Sequence, residues 1–341
     1  MATRGAAIED SENCSSAANV VALNNPLAKL QDHGINATDI QKLVSTGIYK
    51  VEELLAAPKK VILDIKGITE AKHATLIKAA MQVSTFSGCI QNSHELSREM
   101  QQREFHISTG SAELNTLLKG GFPSGVLNEI FGEYRTGKSQ LCMTMAVTAQ
   151  TEEHSGRPGK VFYVDTEGGF NPKRIEEICA RFGYDPEETL DNIMVIRCHS
   201  TDNQMEAVDK MKAQMEADES PYALVIIDSI MALYRVDYSG RGELSARQMK
   251  LNKHLNDLKK LAAIYNMVVV YTNQVVSDCG GMTFVSNPIK AIGGNILAHA
   301  SHNRLQFKKG RDTQRIAKII DSPYLATGDA VFTITEGGVD D

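Results

Sequence analysis

The chain of 341 residues carries a formal net charge of −6, with 42% hydrophobic and 23% charged residues. This length accommodates a large core and a second, smaller unit, and the composition is ordinary for a globular protein. No apolar run is long enough to cross a bilayer and no hydrophobic signal segment is visible at the N-terminus, so we expect no membrane partner. The net charge excludes a uniformly basic surface, and any nucleic-acid binding must use local patches.

Six scattered cysteines form no C-x-x-C pair, which predicts reduced thiols in a cytosolic or nuclear compartment and disfavours a zinc site. Residues 1–24 lack hydrophobic periodicity, which predicts a disordered tail. Residues 25–84 carry successive short helical patterns. Gly67 separates the apolar segment 62–66 from a helix over Glu70–Val83 that Thr69 would cap.

This order of elements predicts a helix-hairpin-helix domain, in which backbone N–H groups, Lys66 and Lys72 would hold a phosphate backbone. A small helical protein-interaction domain, in which Gly67 only turns the chain, is an equal alternative. Residues 85–104 are polar and predict a linker, and the family resemblance described below implies that it includes the polymerisation segment.

From residue 105 to the C-terminus, strand-like and helical patterns alternate. The strand-like runs are residues 126–131, 160–164, 193–196, 223–227 and 267–272. An amphipathic helix is marked by Leu251, Leu255, Leu258, Leu261 and Ile264. This alternation predicts an α/β fold, a mostly parallel sheet with helices on both faces. Three late runs (304–307, 315–320 and 330–334) predict antiparallel strands at one edge.

A motif of the form G-x-x-x-x-G-K-[ST] follows the first of these strands. The motif and the position after it comprise Gly132, Glu133, Tyr134, Arg135, Thr136, Gly137, Lys138, Ser139 and Gln140. With a strand before it and a helix after it, this is the context of a phosphate-binding P-loop, in which backbone N–H groups and the helix dipole face the phosphates. Lys138 would reach the β- and γ-phosphates, and Ser139 would ligate Mg²⁺. The motif predicts ATP or GTP binding rather than a plain Gly-rich turn.

Polar side chains stand at the ends of three other predicted strands. Asp228 follows an apolar run, as expected of a Walker B carboxylate that holds the Mg²⁺ water shell. Glu167 would orient and deprotonate the attacking water, with a loop carboxylate that caps a helix as the alternative. Gln274 is placed to sense the γ-phosphate and to signal its presence to the following loop. We therefore predict Glu167 and Gln274 as the catalytic residues of an ATPase.

Two long loops, residues 237–243 and 275–292, follow strands and should project from the nucleotide side of the sheet. Arginines on the first and Phe284 on the second suit single-stranded DNA binding by phosphate contact and base stacking. Basic residues also cluster at 235–247 and 308–318, where a solvated face is the alternative.

The P-loop residues, segment 234–244 and segment 293–300 together resemble the eukaryotic RecA/RadA-type strand-exchange recombinases, from about residue 26 to the C-terminus. Segments 227–237 and 282–284 resemble the meiosis-specific branch, and 245–248 is nearer the general, mitotic branch. The resemblance implies a RecA-like P-loop ATPase core over 105–341 with ATP and Mg²⁺ as cofactors. It implies a nuclear, DNA-dependent ATPase that self-associates into a filament or ring on single-stranded DNA. Strand exchange with double-stranded DNA, in meiotic recombination and double-strand break repair, and mediator proteins as partners are implied as well.

The resemblance also implies roles for individual positions. The DNA-contacting positions would be Arg235, Tyr238, Arg241, Arg247, Phe284, Gly293, Gly294 and Arg315. Asp321 and Pro323 would cap the nucleotide of the adjacent protomer. The chain departs from the family at the Phe-x-x-Ala polymerisation motif, where Phe86-Ser87-Gly88-Cys89 or residues 89–92 stand, and this leaves open whether that tether joins protomers. Ile320 and Ala326 replace an aromatic residue and a proline that are usual in the cap.

Two other functions stay open at this point. The altered linker favours a non-catalytic recombinase paralogue that acts as a filament-loading adaptor, although Lys138, Asp228 and Glu167 oppose it. A hexameric P-loop helicase would share the core, but the predicted helix-hairpin-helix and the Ser-Gly-Arg-Gly of the first loop argue against it.

Overall fold

The structure, a computed structural model, describes residues 26–84, 92–218, 220–240, 242–277 and 289–341. These residues form two compact units, 26–43 with 50–103 and 44–49 with 104–341. The tail predicted over 1–24 lies outside the described residues, and so does the Phe86–Cys89 part of the linker. In the described part of the chain, no helix is both long enough and apolar enough to span a membrane.

The smaller unit is helical. Its described part contains a 3₁₀ helix over Leu27–His33 and helices α1 (Ala37–Ser45), α2 (Val51–Ala56), α3 (Lys59–Leu63), α4 (Glu70–Val83) and α5 (Ser93–Arg103). Thr69 caps α4 as predicted, since its hydroxyl accepts a hydrogen bond from the backbone N–H of Lys72. Helix α5 lies where the sequence predicted only a polar linker. It has no buried residue, so its sequence carries no apolar stripe to reveal it.

The predicted phosphate contacts of the helix-hairpin-helix are only partly available. Gly67, with φ +87°, turns the chain between α3 and α4, and Lys66 is exposed. Lys72 instead forms an ion pair with Asp39 at 2.8 Å, and Lys42 contacts the same carboxylate at 3.0 Å. The hydrogen bond from Lys72 is the main reason that the pKa of Asp39 is lowered. A phosphate would have to compete with Asp39 for Lys72.

The larger unit alternates strands and helices. Its helices are α6 (Ala112–Leu117), α7 (Lys138–Thr148), α8 (Pro172–Phe182), α9 (Pro186–Asp191), α10 (Thr201–Ala217), α11 (Ala232–Asp237), α12 (Leu244–Tyr265) and α13 (Gly294–Ala300). Its strands are β1 (His106–Ile107), β2 (Phe122–Pro123), β3 (Leu127–Gly132), β4 (Lys160–Asp165), β5 (Ile193–Arg197), β6 (Tyr222–Asp228), β7 (Val268–Asn273), β8 (Val275–Ser277), β9 (Ile289–Ala291), β10 (Asn303–Lys309), β11 (Gln314–Asp321), β12 (Asp329–Thr335) and β13 (Gly338–Asp340).

Nine of the described strands form one sheet in the order β13-β12-β11-β10-β3-β7-β6-β4-β5. From β10 to β5 all neighbours are parallel, and β10 to β13 pair antiparallel. Every residue of β3, β6 and β7 is buried, as expected of parallel strands that are covered on both faces. The predicted α/β fold with an antiparallel edge is confirmed.

The sheet brings the functional positions together. Strands β3, β7, β6 and β4 are adjacent and parallel, so their carboxyl ends meet at one edge. The P-loop follows β3, Gln274 follows β7, Asp228 ends β6, and Glu167 lies two residues after β4. Ligands of open α/β sheets bind at this edge.

Candidate active site

Two glycines give the P-loop its shape. Gly137 has φ +99° and precedes α7, and a Cβ atom there would lie 2.7 Å from Ile334 Cδ1. A Cβ atom on Gly132 would lie 2.3 Å from the backbone oxygen of Phe307. Both positions therefore require glycine, because the neighbouring strands leave no room for a side chain. The result is a tight turn that directs the N-terminus of α7 toward solvent.

The ammonium group of Lys138 lies inside this turn. Its Nζ donates to the carbonyl oxygens of Gly132 at 3.0 Å and Glu133 at 2.9 Å, and Thr136 Oγ1 also donates to Glu133 O at 2.8 Å. Burial lowers the pKa of Lys138, whereas the charges of Asp228 and Glu167 act to raise it. A half-buried cation whose hydrogen bonds go only to neutral carbonyls can still pair with an anion, so the loop fits a nucleoside triphosphate.

Asp228 is held in one orientation at the end of β6. Its Oδ2 accepts a hydrogen bond from the Tyr163 hydroxyl at 3.0 Å, and its Oδ1 accepts one from Thr272 Oγ1 at 2.5 Å. Burial, followed by the Asp228 charge, raises the pKa of Tyr163, so the phenol stays a donor. Asp228 and Ser139 offer the oxygen ligands that Mg²⁺ prefers. No three His, Cys, Asp or Glu side chains of the described residues are grouped to hold a metal.

A line of hydrogen bonds connects Glu167 to the base of the first loop. Glu167 Oε1 accepts from Ser229 Oγ at 2.8 Å and from Gln274 Nε2 at 2.7 Å. Gln274 Oε1 in turn accepts from Arg235 Nη1 at 2.8 Å. The structure thus brings the two residues predicted as catalytic into contact and adds Arg235, which the sequence assigned to DNA alone.

Asp165 builds the turn that carries Glu167. Its Oδ1 accepts hydrogen bonds from the backbone N–H groups of Glu167, Gly168 and Gly169, and its Oδ2 accepts one from Phe170 N–H. Asp165 is the last residue of β4, two positions before Glu167. Because the Asp165 carboxylate organises the turn, the Glu167 carboxylate takes no part in it and bonds instead to Ser229 and Gln274.

A cavity of about 510 Å³ opens beside the P-loop. It is lined by Arg135, Gly137, Gln140, Arg174, Arg315, Ile334, Thr335 and Glu336. Arg174, which the sequence motifs do not indicate, donates to Gln140 Oε1 at 2.8 Å and to the backbone oxygens of Thr335 and Glu336. Only its place on α8, one turn into the helix, could have suggested a role, and that is a weak signal.

Arg315 lies on the nucleotide side of the molecule. The resemblance assigned it to DNA. In the structure it pairs with Lys309, two residues beyond the position of β10 that is level with Gly132. Arg315 therefore lines the cavity beside the P-loop. The structure does not bring it together with Arg235. A contact between Arg315 and DNA remains a prediction.

Of the predicted DNA-contacting positions of the first loop, three are described. Arg235 is exposed, Tyr238 and Arg247 are partly buried, and Arg241 lies outside the described residues. The Tyr238 ring lies 5.5 Å from Lys250 Nζ, which also forms an ion pair with Asp202 at 2.8 Å. The first loop connects α11, whose Arg235 contacts Gln274, to α12.

The second loop is described at its base. Phe284 lies outside the described residues, whereas β8 and β9 pair antiparallel and Ile292 N–H donates to Gln274 O at 3.0 Å. Gly293 and Gly294 have φ +107° and +65° and begin α13. The predicted catalytic Gln274 is therefore bonded directly to the residue that closes the loop.

Asp321 and Pro323, predicted to cap a nucleotide, lie away from the P-loop of their own chain. Because β11 runs antiparallel to β10, Asp321 pairs with Arg304, which is level with Glu129 of β3, three residues before Gly132. Ser322 fixes this segment, since its hydroxyl donates to Asn303 Oδ1 at 2.8 Å and accepts from Leu325 N–H. Contact of Asp321 and Pro323 with the nucleotide of another protomer remains a prediction.

Comparison with known proteins gives the family. The family model described as Rad51 matches residues 100–341. The chain is 45% identical to the DNA repair protein RAD51 of Saccharomyces cerevisiae, over 93% of this chain and 78% of the relative. It is 44% identical to the human meiotic recombination protein DMC1/LIM15 homolog, over 92% of each chain, and 45% identical to the DMC1 homolog of Glycine max, over 92% of this chain and 90% of the relative. These identities do not separate the two kinds of relative. The resemblance predicted from the motifs is confirmed, and the chain belongs to the Rad51 family of recombinases.

Proposed function

We propose that this protein is an ATP-dependent recombinase that forms filaments on single-stranded DNA and catalyses homologous pairing and strand exchange with double-stranded DNA. The observation that carries the proposal is the meeting of Lys138, Asp228 and Glu167 at one edge of the sheet, with Gln274 and Arg235 connecting that edge to the first loop. Membership of the Rad51 family supports it. Its similarity to a DNA repair protein and to a meiotic recombination protein supports action in the nucleus during meiotic recombination and double-strand break repair.

ATP would bind with its phosphates in the P-loop. Lys138 and the N-terminus of α7 neutralise the β- and γ-phosphates, and Ser139 and Asp228 hold Mg²⁺, which when bound further neutralises the phosphate charge. Glu167 positions the attacking water and accepts its proton, and Gln274 senses the γ-phosphate. The cavity beside the P-loop, with Arg174 on its wall, suits the nucleoside part of the same ligand.

The DNA strand would lie along the two loops. Arg235, Tyr238 and Arg247 contact it from the first loop, together with Arg241. Phe284, Gly293 and Gly294 contact it from the second. Because these contacts neutralise phosphates, the affinity for DNA should fall steeply as the salt concentration rises. Asp321 and Pro323 cap the nucleotide of the next protomer, and mediator proteins assist assembly.

The test is ATP-dependent filament formation and strand exchange by the full chain. The wild type should form long helical filaments on single-stranded DNA with ATP, visible by electron microscopy, and should convert homologous duplex into joint molecules. Lys138→Ala should lose nucleotide binding and both activities, because the main phosphate-binding cation is gone. Lys173→Ala removes an exposed cation of α8 and serves as the matched control, with wild-type activity expected.

Strand exchange that persists in Lys138→Ala at the wild-type rate contradicts the assignment. ATP binding without filaments or joint molecules in the wild type supports instead an adaptor paralogue that loads filaments of another recombinase. Both outcomes are read in one assay, since nucleotide binding and joint-molecule yield are measured on the same preparation.

A further inference from the structure

Three side chains form a continuous connection between the predicted water-activating carboxylate and the DNA side of the molecule. Arg235 Nη1 lies 2.8 Å from Gln274 Oε1, and Gln274 Nε2 lies 2.7 Å from Glu167 Oε1. Arg235 belongs to α11, which leads into the first loop, and Glu167 follows β4. The single amide of Gln274 therefore joins a loop arginine to the site of hydrolysis.

Chemistry fixes the orientation of this amide. A guanidinium has only donors and a carboxylate has only acceptors, so the oxygen of Gln274 must face Arg235 and its NH₂ group must face Glu167. While Arg235 holds the oxygen, the NH₂ group stays directed at Glu167. Arg235 thereby acts on Glu167 without touching it.

The same contact restricts the Glu167 carboxylate. Its Oε1 already accepts two hydrogen bonds, from Ser229 and from Gln274. A water molecule that is to be positioned at this oxygen must displace one of these donors. Ser229 is 2% exposed, and its backbone N–H is fixed by Thr166 Oγ1 at 2.8 Å, whereas Gln274 is half-buried at the end of β7. Gln274 is the donor that can leave.

A DNA phosphate competes for Arg235 on favourable terms. The bond from Arg235 to Gln274 joins a charged donor to a neutral amide at an exposed position, where such contacts are weak. A guanidinium paired with a phosphate gains charge-assisted, bidentate hydrogen bonds. The strand can therefore remove Arg235 from Gln274.

We propose that Arg235 is a positioning residue that makes ATP hydrolysis respond to DNA. Without DNA it holds the amide of Gln274 against Glu167 Oε1, so that this oxygen is withheld from the attacking water and the amide is withheld from the γ-phosphate. When a phosphate of the bound strand takes the guanidinium, Gln274 turns toward the γ-phosphate and Glu167 accepts the attacking water. This inference rests on the proposed function and adds the route by which DNA regulates the ATPase site.

The test measures the ATP hydrolysis rate with and without saturating single-stranded DNA. Arg235→Ala and Arg235→Met should raise the DNA-free rate about fivefold, equivalent to the ~1 kcal/mol of one hydrogen bond, and reduce stimulation by DNA accordingly. Arg235→Lys keeps a donor for Gln274 and should keep the low DNA-free rate. A variant damaged only in its folding loses rate, so a rise identifies the positioning role. Lys253→Ala, at an exposed cation of α12, should behave as the wild type.

The outcomes separate the two levels of the proposal. A wild type that hydrolyses ATP equally with and without DNA overturns the proposed function. A wild type that DNA stimulates, with Arg235→Ala and Arg235→Met retaining the low DNA-free rate or falling below it, overturns the role of Arg235 alone.

Discussion

Two adjacent residues at the end of β7 have opposite surroundings. Asn273 is fully buried, and its Nδ2 donates to Glu129 Oε1 at 2.8 Å and to the backbone oxygen of Ile292 at 2.7 Å. Gln274 is half-buried, and its partners are the side chains of Arg235 and Glu167. The inner residue fixes the base of the second loop to the sheet, and the outer residue has partners that it can exchange. One strand end therefore combines a rigid anchor with a contact that can change.

The anchor is a charged cluster in the interior. Glu129 is fully buried, and its Oε2 accepts from Arg304 Nε at 2.6 Å and from Ser301 Oγ at 3.3 Å. Tyr271 lies 2.5 Å from Ser301 Oγ, and burial followed by the Glu129 charge raises the pKa of the Tyr271 phenol. A buried charge is tolerated only when it is paired and its oxygens are hydrogen-bonded, and Glu129 meets both conditions.

The largest loss of stability is expected when the buried pair of Glu129 and Arg304 is broken. Glu129→Ala should lower the free energy of unfolding by about 3–5 kcal/mol, because it leaves the guanidinium of Arg304 without its buried counter-charge. Urea unfolding followed by circular dichroism measures the change. Glu206→Ala is the matched control. It breaks an exposed ion pair with Lys210 and should change the same quantity by less than ~1 kcal/mol.

The double variant Glu129→Leu with Arg304→Met separates charge from packing. It should recover much of the lost stability, since it leaves no unpaired charge in the interior. Equal effects of Glu129→Ala and Glu206→Ala would show that the buried pair does not anchor the strand.

The sequence predicted the surroundings of Gln274 better than the buried cluster around Asn273. Gln274, Glu167 and Asp228 stand at the ends of apolar runs, where the parallel arrangement alone brings them together. Glu129 is one acidic residue inside an apolar strand, and its partner Arg304 is 175 positions away. Periodicity reports which elements form but not which side chains of distant elements pair, so this cluster had no local signal.

The same limit explains the placement of Arg315. Its basic neighbours in the sequence suggested a DNA-binding surface, which remains a prediction, and the antiparallel register of β11 on β10 places it at the P-loop end of the sheet. Patterns of apolar residues predicted β11 correctly. Such patterns do not specify how β11 is aligned with β10, and this alignment decides what Arg315 faces.

A second prediction concerns the pH dependence of stability that a buried histidine causes. Unlike Glu129, this side chain is buried without hydrogen-bond partners among the described residues. His254 of α12 is 1% exposed, and neither ring nitrogen has a hydrogen-bond partner among the described residues. Burial lowers its pKa to about 4. The unfolded chain takes up the proton near the ordinary pKa of ~6.5 while the folded chain stays neutral, so stability falls as the pH drops from 7 toward 4.

Between pH 7 and pH 5 this loss should be about 2 kcal/mol in the wild type. His254→Leu should remove that part of the pH dependence and be at least as stable at pH 7, because it leaves no unpaired ring nitrogen. Urea unfolding at the two pH values measures the difference between the two proteins. Parallel losses in wild type and variant would show that other groups cause the pH dependence.

The last prediction compares the stability effects of substitutions at Asn273 and Gln274, the adjacent residues at the end of β7. Asn273→Ala should cost about 1–3 kcal/mol of unfolding free energy, since it leaves a buried oxygen of Glu129 without its donor. Gln274→Ala should cost less than ~1 kcal/mol in the same assay, because water can replace its half-exposed contacts. If Gln274→Ala were as destabilising as Asn273→Ala, the amide would be a fixed part of the fold. It could then not change partners when DNA binds, and the proposed route from Arg235 to Glu167 would be closed.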